Sequence, residues 1–152
     1  MIHDADILLS LVDSPVAAVS AAETAGDQYI SATVEFENGV VATLTASRVT
    51  QQKVRTLSVT AEDCQVNVDY MAQSVQINRH SMPEYIETNG DIRYRHENIT
   101  ERPTVENGEP LKKELTAFVE AVETGCEPVV SAEDGIRALE LVRRVQSVAE
   151  KE

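Results

Sequence analysis

Between Tyr29 and Val49 the sequence alternates apolar and polar residues on either side of Asn38-Gly39. Ile30, Ala32, Val34 and Phe36 fall on one side of the first run, with Tyr29, Ser31, Thr33 and Glu35 on the other. In the second run Val40, Ala42, Leu44 and Ala46 again share a side. Alternation with a period of two places one set of side chains on a single sheet face. Asn-Gly is the dipeptide best suited to a two-residue hairpin turn, whose central positions take positive φ. A β-hairpin with one buried face is therefore expected here, and an all-helical chain is excluded.

Further strand signals surround it. Val16 to Ala22 is a run of small and β-branched residues, and Val54 to Thr60 alternates again. Val66, Val68 and Tyr70 interleave with Gln65, Asn67 and Asp69, and Ser74 to Asn78 carries Val75 and Ile77. The chain holds 20 Val, which favours strands over helices. Residues 79–108 are read two ways: a hairpin around Asn89-Gly90 with an edge strand at Ile99–Val105, or an irregular loop.

Helical spacing marks the two ends. Ile7, Leu8, Leu11 and Val12 form a stripe within Asp4–Asp13, with acids in the first turn and Ser14-Pro15 as the stop. Near the C-terminus, Leu111, Leu115, Phe118, Val119 and Val122 keep helical spacing between Pro110 and Gly125. A last helix follows Ser131, with Asp134 three residues on as in a capping box. The order helix, strand meander, helix, helix predicts an α+β fold: a mostly antiparallel, open-faced sheet with helices packed on one face. At 152 residues with 42% hydrophobic content, residues 1–152 are expected to form one domain.

The net charge of −13 excludes direct nucleic-acid binding and a role at an anionic membrane surface. Four Lys stand against nine Arg and 26 Asp+Glu, a balance expected of a protein in a salty cytoplasm. In molar salt the Debye length falls to about 3 Å and carboxylate repulsion is largely screened. No stretch approaches the length of a membrane span, and the N-terminus lacks the basic segment of a signal peptide. Cys64 and Cys126 have no partner at ligand spacing, so no metal site is expected.

Few residues are suited to chemistry. There is no Gly-rich phosphate loop, HExxH or GxSxG. His3 precedes the first helix with Asp4 and Asp6 close behind, so an imidazole with a neighbouring carboxylate could face a site there. A solvated terminal histidine is the plainer reading. Arg48, ending an otherwise apolar strand, could hold an anion by bidentate hydrogen bonds or sit in an ordinary surface ion pair. The polar face of the meander is rich in Thr, Ser, Asn and Gln, which suits either a flat subunit contact or a solvated surface.

The opening MIHDADILLSLVDSPV resembles the start of the C-terminal domain of the Gfo/Idh/MocA family of NAD(P)-dependent oxidoreductases, with His3 and Asp6 matching its His-x-x-Asp pattern. ISATVEFENGVVATLTASRV is similar to the family's first hairpin, and VRTLSVTAEDCQVNVDYMAQSVQI to its second. EPLKKELTAFVEAVETGCEPVVSAEDGIRALELVRRV resembles its closing helices. The resemblance implies a substrate-binding and oligomerisation domain of a dehydrogenase acting on a sugar, inositol or sugar-nucleotide hydroxyl. It implies His3 as the catalytic acid/base, Asp6 and Arg48 as substrate-binding, and a homo-oligomer built through the open sheet face. NAD or NADP would be bound in the full-length enzyme by an N-terminal Rossmann domain absent from this chain, which alone should neither bind the cofactor nor turn over. The family's Asp four residues before the His has no counterpart here, since that position would precede Met1. The stretches ASRVT, VRTLSVT and DYMAQSV look most like members acting on nucleotide-linked amino sugars. A non-catalytic self-associating or small-ligand-binding module is the alternative.

Overall fold

A computed structural model describes residues 1–24, 26, 28–49, 51–80, 84–88, 91–95, 98–106 and 108–150. The chain divides into two compact units, Met1–Gln51 with Leu111–Glu152, and Gln52–Pro110.

The first unit holds α1 (Ile2–Leu11), β1 (Val16–Glu23), β2 (Tyr29–Phe36), β3 (Val41–Ser47), α2 (Pro110–Thr124, from Leu111 onward) and α3 (Ala132–Ala149). Its sheet has the order β1-β2-β3 and is antiparallel throughout. The alternation in β2 works as expected: Ala32, Val34 and Phe36 are buried, while Glu35 is exposed. Leu44 of β3 and Ala21 of β1 extend that apolar face, and Ala138, Leu141, Val145 and Ala149 of α3 cover it together with Ala5 of α1. The result is a two-layer core made almost wholly of aliphatic side chains.

The β2–β3 turn differs from the expected form. Gly39 has φ +87, whereas Asn38 does not take positive φ. Gly39 N–H donates to the Phe36 carbonyl at 3.0 Å, so the connection takes in Glu37, Asn38 and Gly39. Only the glycine enters the left-handed region, where a Cβ would be strained. The Asn38 side chain accepts from Val40 N–H at 3.1 Å, and Asn38 N–H donates to Ser14 Oγ at 3.1 Å. The turn is thereby tied to the end of α1. A bulge between Val16 and Ala18 opens β1, and Arg144 of α3 donates to the Val16 and Ala17 carbonyls at 3.4 and 3.2 Å.

Both closing helices start where the sequence places them, and Gly125 is left-handed after α2 at φ +68. Their apolar faces are less simple. Leu111, Leu115, Phe118, Val119 and Val122 of α2 are each more than half exposed. On α3 the buried stripe runs through Ala138 and Leu141, leaving Ile136 and Leu139 exposed.

The α3 N-terminus is a complete capping box. Ser131 Oγ accepts from Asp134 N–H at 3.2 Å, and Asp134 Oδ2 accepts from Ser131 N–H at 2.9 Å and Oγ at 2.7 Å. Arg137 also donates to Asp134. Hydrogen bonds from Ser131, then from Arg137, lower the Asp134 pKa from 3.8 to about 2. The folded value lies below the unfolded one, so the carboxylate contributes stability above about pH 4 and loses it as the pH falls towards 2. Thermal melts of the wild type should therefore decline more steeply across that window than those of Asp134→Asn. Parallel slopes would show that the box contributes nothing through ionisation.

The second unit holds β4 (Thr56–Thr60), β5 (Cys64–Asp69), β6 (Ser74–His80), β7 (Glu84–Thr88), β8 (Asp91–Arg95) and β9 (Asn98–Glu101). β4-β5-β6-β9 form one antiparallel sheet with β9 at its edge, and β7 pairs antiparallel with β8, as the hairpin reading of this stretch expects. Asn89-Gly90 lies outside the described residues. The strand expected at Ile99–Val105 is shorter and earlier, Asn98–Glu101, and Pro103 cannot donate to a ladder beyond it. The expected continuous meander thus separates into three ladders. Among the described residues of this unit none is fully buried. Leu57, Val66, Val68, Val75 and Ile77 share one sheet face, and hydroxyl and amide side chains share the other.

Candidate functional site

His3 lies inside the first turn of α1, because the helix starts at Ile2 rather than at Asp4. Ala5 is buried, and Leu8, Leu9 and Val12 pack against the core, so the helix is anchored on that side and His3 is exposed on another. Asp6 follows at i+3, half-buried, on the same helix face as His3. Among the described residues no hydrogen bond joins the imidazole to Asp4 or Asp6, so neither carboxylate fixes its tautomer. Among the described residues both ring nitrogens are open to an incoming hydroxyl.

Arg48 sits at the bend that follows β3, and its backbone N–H donates to the Gln28 carbonyl at 2.8 Å. The side chain is exposed and, among the described residues, has no carboxylate partner. Among the described residues its guanidinium is therefore open to bidentate contact with an anion. α1 touches β3, but no hydrogen bond or ion pair links Arg48 to His3 or Asp6 among the described residues. The His80 side chain and His96 fall outside the described residues. Cys64 and Cys126 are free thiols, and no metal-binding cluster is found among the described residues.

A second feature lies entirely within the Gln52–Pro110 unit. A hollow of about 640 Å³ opens on the β4-β5-β6 sheet. The rows Thr56–Asp69–Ser74 and Ser58–Asn67–Gln76 line it, with Arg102 and Pro103 at its margin. Ser58 Oγ donates to Asn67 Oδ1 at 2.9 Å, and Gln76 Nε2 donates to Asn78 Oδ1 at 3.0 Å. Gln73, at φ +48, clips the segment that follows Pro103: its amide bonds both the N–H and the carbonyl of Gly108, at 3.0 and 2.9 Å. The alternation of Thr, Ser, Asn and Gln signalled the polar face. Arg102 and the concavity had no sequence signal.

A model of the oxidoreductase family C-terminal alpha/beta domain, Gfo/Idh/MocA type, matches residues 1–152. The chain belongs to the Gfo/Idh/MocA family. Among solved structures it is similar to UDP-N-acetylglucosamine 3-dehydrogenase from Acidithiobacillus ferrooxidans, at 23% identity and TM-score 0.85, over 99% of this chain and 47% of that one. It is also similar to an aldose-aldose oxidoreductase from Caulobacter crescentus (17% identity, TM-score 0.72, 99% and 44% covered). A third similar structure is the WlbA dehydrogenase from Bordetella pertussis, solved with NADH and UDP-GlcNAcA (17%, 0.64, 99% and 41%). At these identities the structures show a shared fold. No match was found among curated proteins. The chain spans about half the length of the solved proteins it resembles.

The helix N-termini among the described residues of this Gfo/Idh/MocA domain lack the features of a pyrophosphate cradle. A pyrophosphate is ordinarily held by free N–H groups at a helix N-terminus behind a Gly-rich turn. The α3 N-terminus is filled by its own Ser131 and Asp134 and carries Glu133 besides. α2 opens on Pro110, and α1 has Asp4 in its first turn. No helix among the described residues offers the cradle.

Proposed function

We propose that residues 1–152 act as one C-terminal domain, the substrate-binding and self-associating half of a cytoplasmic NAD(P)-dependent dehydrogenase. Its substrate would be a hydroxyl of a sugar, inositol or sugar nucleotide. The observation that carries this reading is the family match along the whole chain. In support, the shared fold includes a UDP-N-acetylglucosamine 3-dehydrogenase and a dehydrogenase solved with NADH and UDP-GlcNAcA. His3 exchanges the proton of the reacting hydroxyl, which demands approach to roughly 2.6–3.2 Å. Asp6, one turn along the same helix face, accepts hydrogen bonds from neighbouring hydroxyls. Arg48 pairs with an anionic group of the substrate, where its planar fork adds orientation to charge. The nicotinamide cofactor is held by a part of the polypeptide outside these residues.

The test is made on the longer polypeptide that contains this domain, offered NAD⁺ or NADP⁺ with a panel of sugars, inositols and sugar nucleotides. Substrate-dependent formation of reduced nicotinamide is expected. Ligand binding without turnover across the panel would overturn the dehydrogenase in favour of a binding module.

Self-association through the polar face of β4-β5-β6-β9 is favoured by its charge content. Of the six residues in the two rows across the hollow, Asp69 alone is ionised, in a chain that is 26% charged. Interface centres are depleted in charge in the same way.

A further inference from the structure

The segment that joins α1 to β1 is held at four successive residues. Ser14 Oγ accepts from Asn38 N–H at 3.1 Å and the Pro15 carbonyl from Glu37 N–H at 3.0 Å, both donors belonging to the β2–β3 turn. The Val16 and Ala17 carbonyls accept from Arg144 of α3, through Nη1 at 3.4 Å and Nη2 at 3.2 Å. In a regular strand successive carbonyls point to opposite edges, so one side chain does not take two in a row. The bulge removes that alternation: Val16 pairs with Phe36 and Ala18 with Glu35, leaving Ala17 without a partner on β2. A guanidinium presents its N–H donors in a rigid fork, which fits two carbonyls turned the same way. Although the chain carries 26 Asp+Glu, this fork is directed at backbone.

These bonds decide where α1 ends. The apolar contacts of Ala5, Leu8 and Leu9 set how closely the helix lies on the core, but such contacts have no direction. Regularising β1 would slide Val16 and the residues before it by one position, about 3.3 Å, along β2. His3 stands eight residues from Leu11, about 12 Å along the helix axis, so a tilt of about 5° at that end moves its imidazole about 1 Å.

We propose that Arg144 is a positioning residue for proton transfer: by holding the bulge of β1 it fixes the end of α1, and thereby the place of His3. The proposal rests on the acid/base reading of His3 above and adds the residue that aims it. Arg144 acts through α1 alone. Its leverage comes from the demands of the chemistry, since a displacement of about 1 Å caused far from the reacting atoms can cost about 10²-fold in rate.

The experiment is a double-mutant cycle on the full-length polypeptide, with kcat, KM and melting temperature measured for each variant. Arg144→Met keeps the apolar stem and removes both donors. It is expected to lower kcat about tenfold, with KM for the nicotinamide cofactor unchanged. In a His3→Ala background the same substitution should cost almost nothing further, because no imidazole is left to place. Arg144→Lys keeps the charge but offers a point donor instead of a fork, so its rate should fall between wild type and Arg144→Met. If Arg144→Met does not fold, Arg144→Lys carries the cycle in its place. Equal losses in both backgrounds would show a structural role only and overturn the proposal, as would a wild-type kcat in both Arg144 variants. A wild type without turnover, or a His3→Ala variant at full rate, would overturn the acid/base reading and the proposal with it.

Discussion

In the full-length polypeptide, His3→Ala is expected to lower kcat by about 10²-fold or more, the usual contribution of a positioned acid/base. The fold should be untouched, because His3 is exposed and makes no hydrogen bond within the described chain. Exposed substitutions of this kind ordinarily change stability by less than about 0.5 kcal/mol. Loss of rate without loss of melting temperature therefore separates a chemical role from a structural one. His3→Gln refines the result. Glutamine can hold a hydroxyl by hydrogen bonding but cannot carry its proton at neutral pH. If His3 moves the proton, the Gln variant is as slow as the Ala variant and KM stays near the wild-type value. If His3 only positions the hydroxyl, Gln recovers much of the rate. An unchanged kcat in both variants would remove His3 from the reaction altogether.

The sequence was informative wherever one local rule decided the outcome. Strict alternation in Tyr29–Phe36 was enough to set the bounds of β2 and its buried side. The Ser131–Asp134 spacing located the start of α3, because a capping box is closed by four consecutive residues and owes nothing to distant ones. The Asn38-Gly39 turn was half-readable. Its place was evident, but its form depends on how Ser14 anchors Asn38 from 24 residues away. The same limit applied to the sites. His3, Asp6 and Arg48 could be picked out by residue type and by resemblance, yet whether Arg48 meets a carboxylate among the described residues is a property of its surroundings. Arg102 carried no signal at all: it reaches the margin of the hollow only because β9 pairs with β6.

Apolar periodicity, finally, does not tell a core face from an exposed one, and two leucines measure the difference. Leu115 on α2 and Leu141 on α3 both sit in helical stripes of the kind that ordinarily faces a core. In the structure Leu141 is 5% exposed and packs with Val34, Phe36 and Val145, whereas Leu115 is 56% exposed. Leu141→Ala removes buried methyl groups and leaves a cavity between α3 and the β1-β2-β3 sheet, at a cost of about 2–5 kcal/mol. That is a large fraction of the stability of an ordinary domain. Leu115→Ala leaves no cavity and should cost less than about 1 kcal/mol, most of it compensated by the better helix propensity of alanine. Chemical denaturation of the 152-residue chain compares the two directly. Equal losses would mean that the α2 stripe is covered in solution, and the exposed face described here would not be the state the chain adopts. A loss confined to Leu141→Ala places the folding energy in the layer formed by α3 and β2, the same layer that anchors α1 and so holds His3 in position.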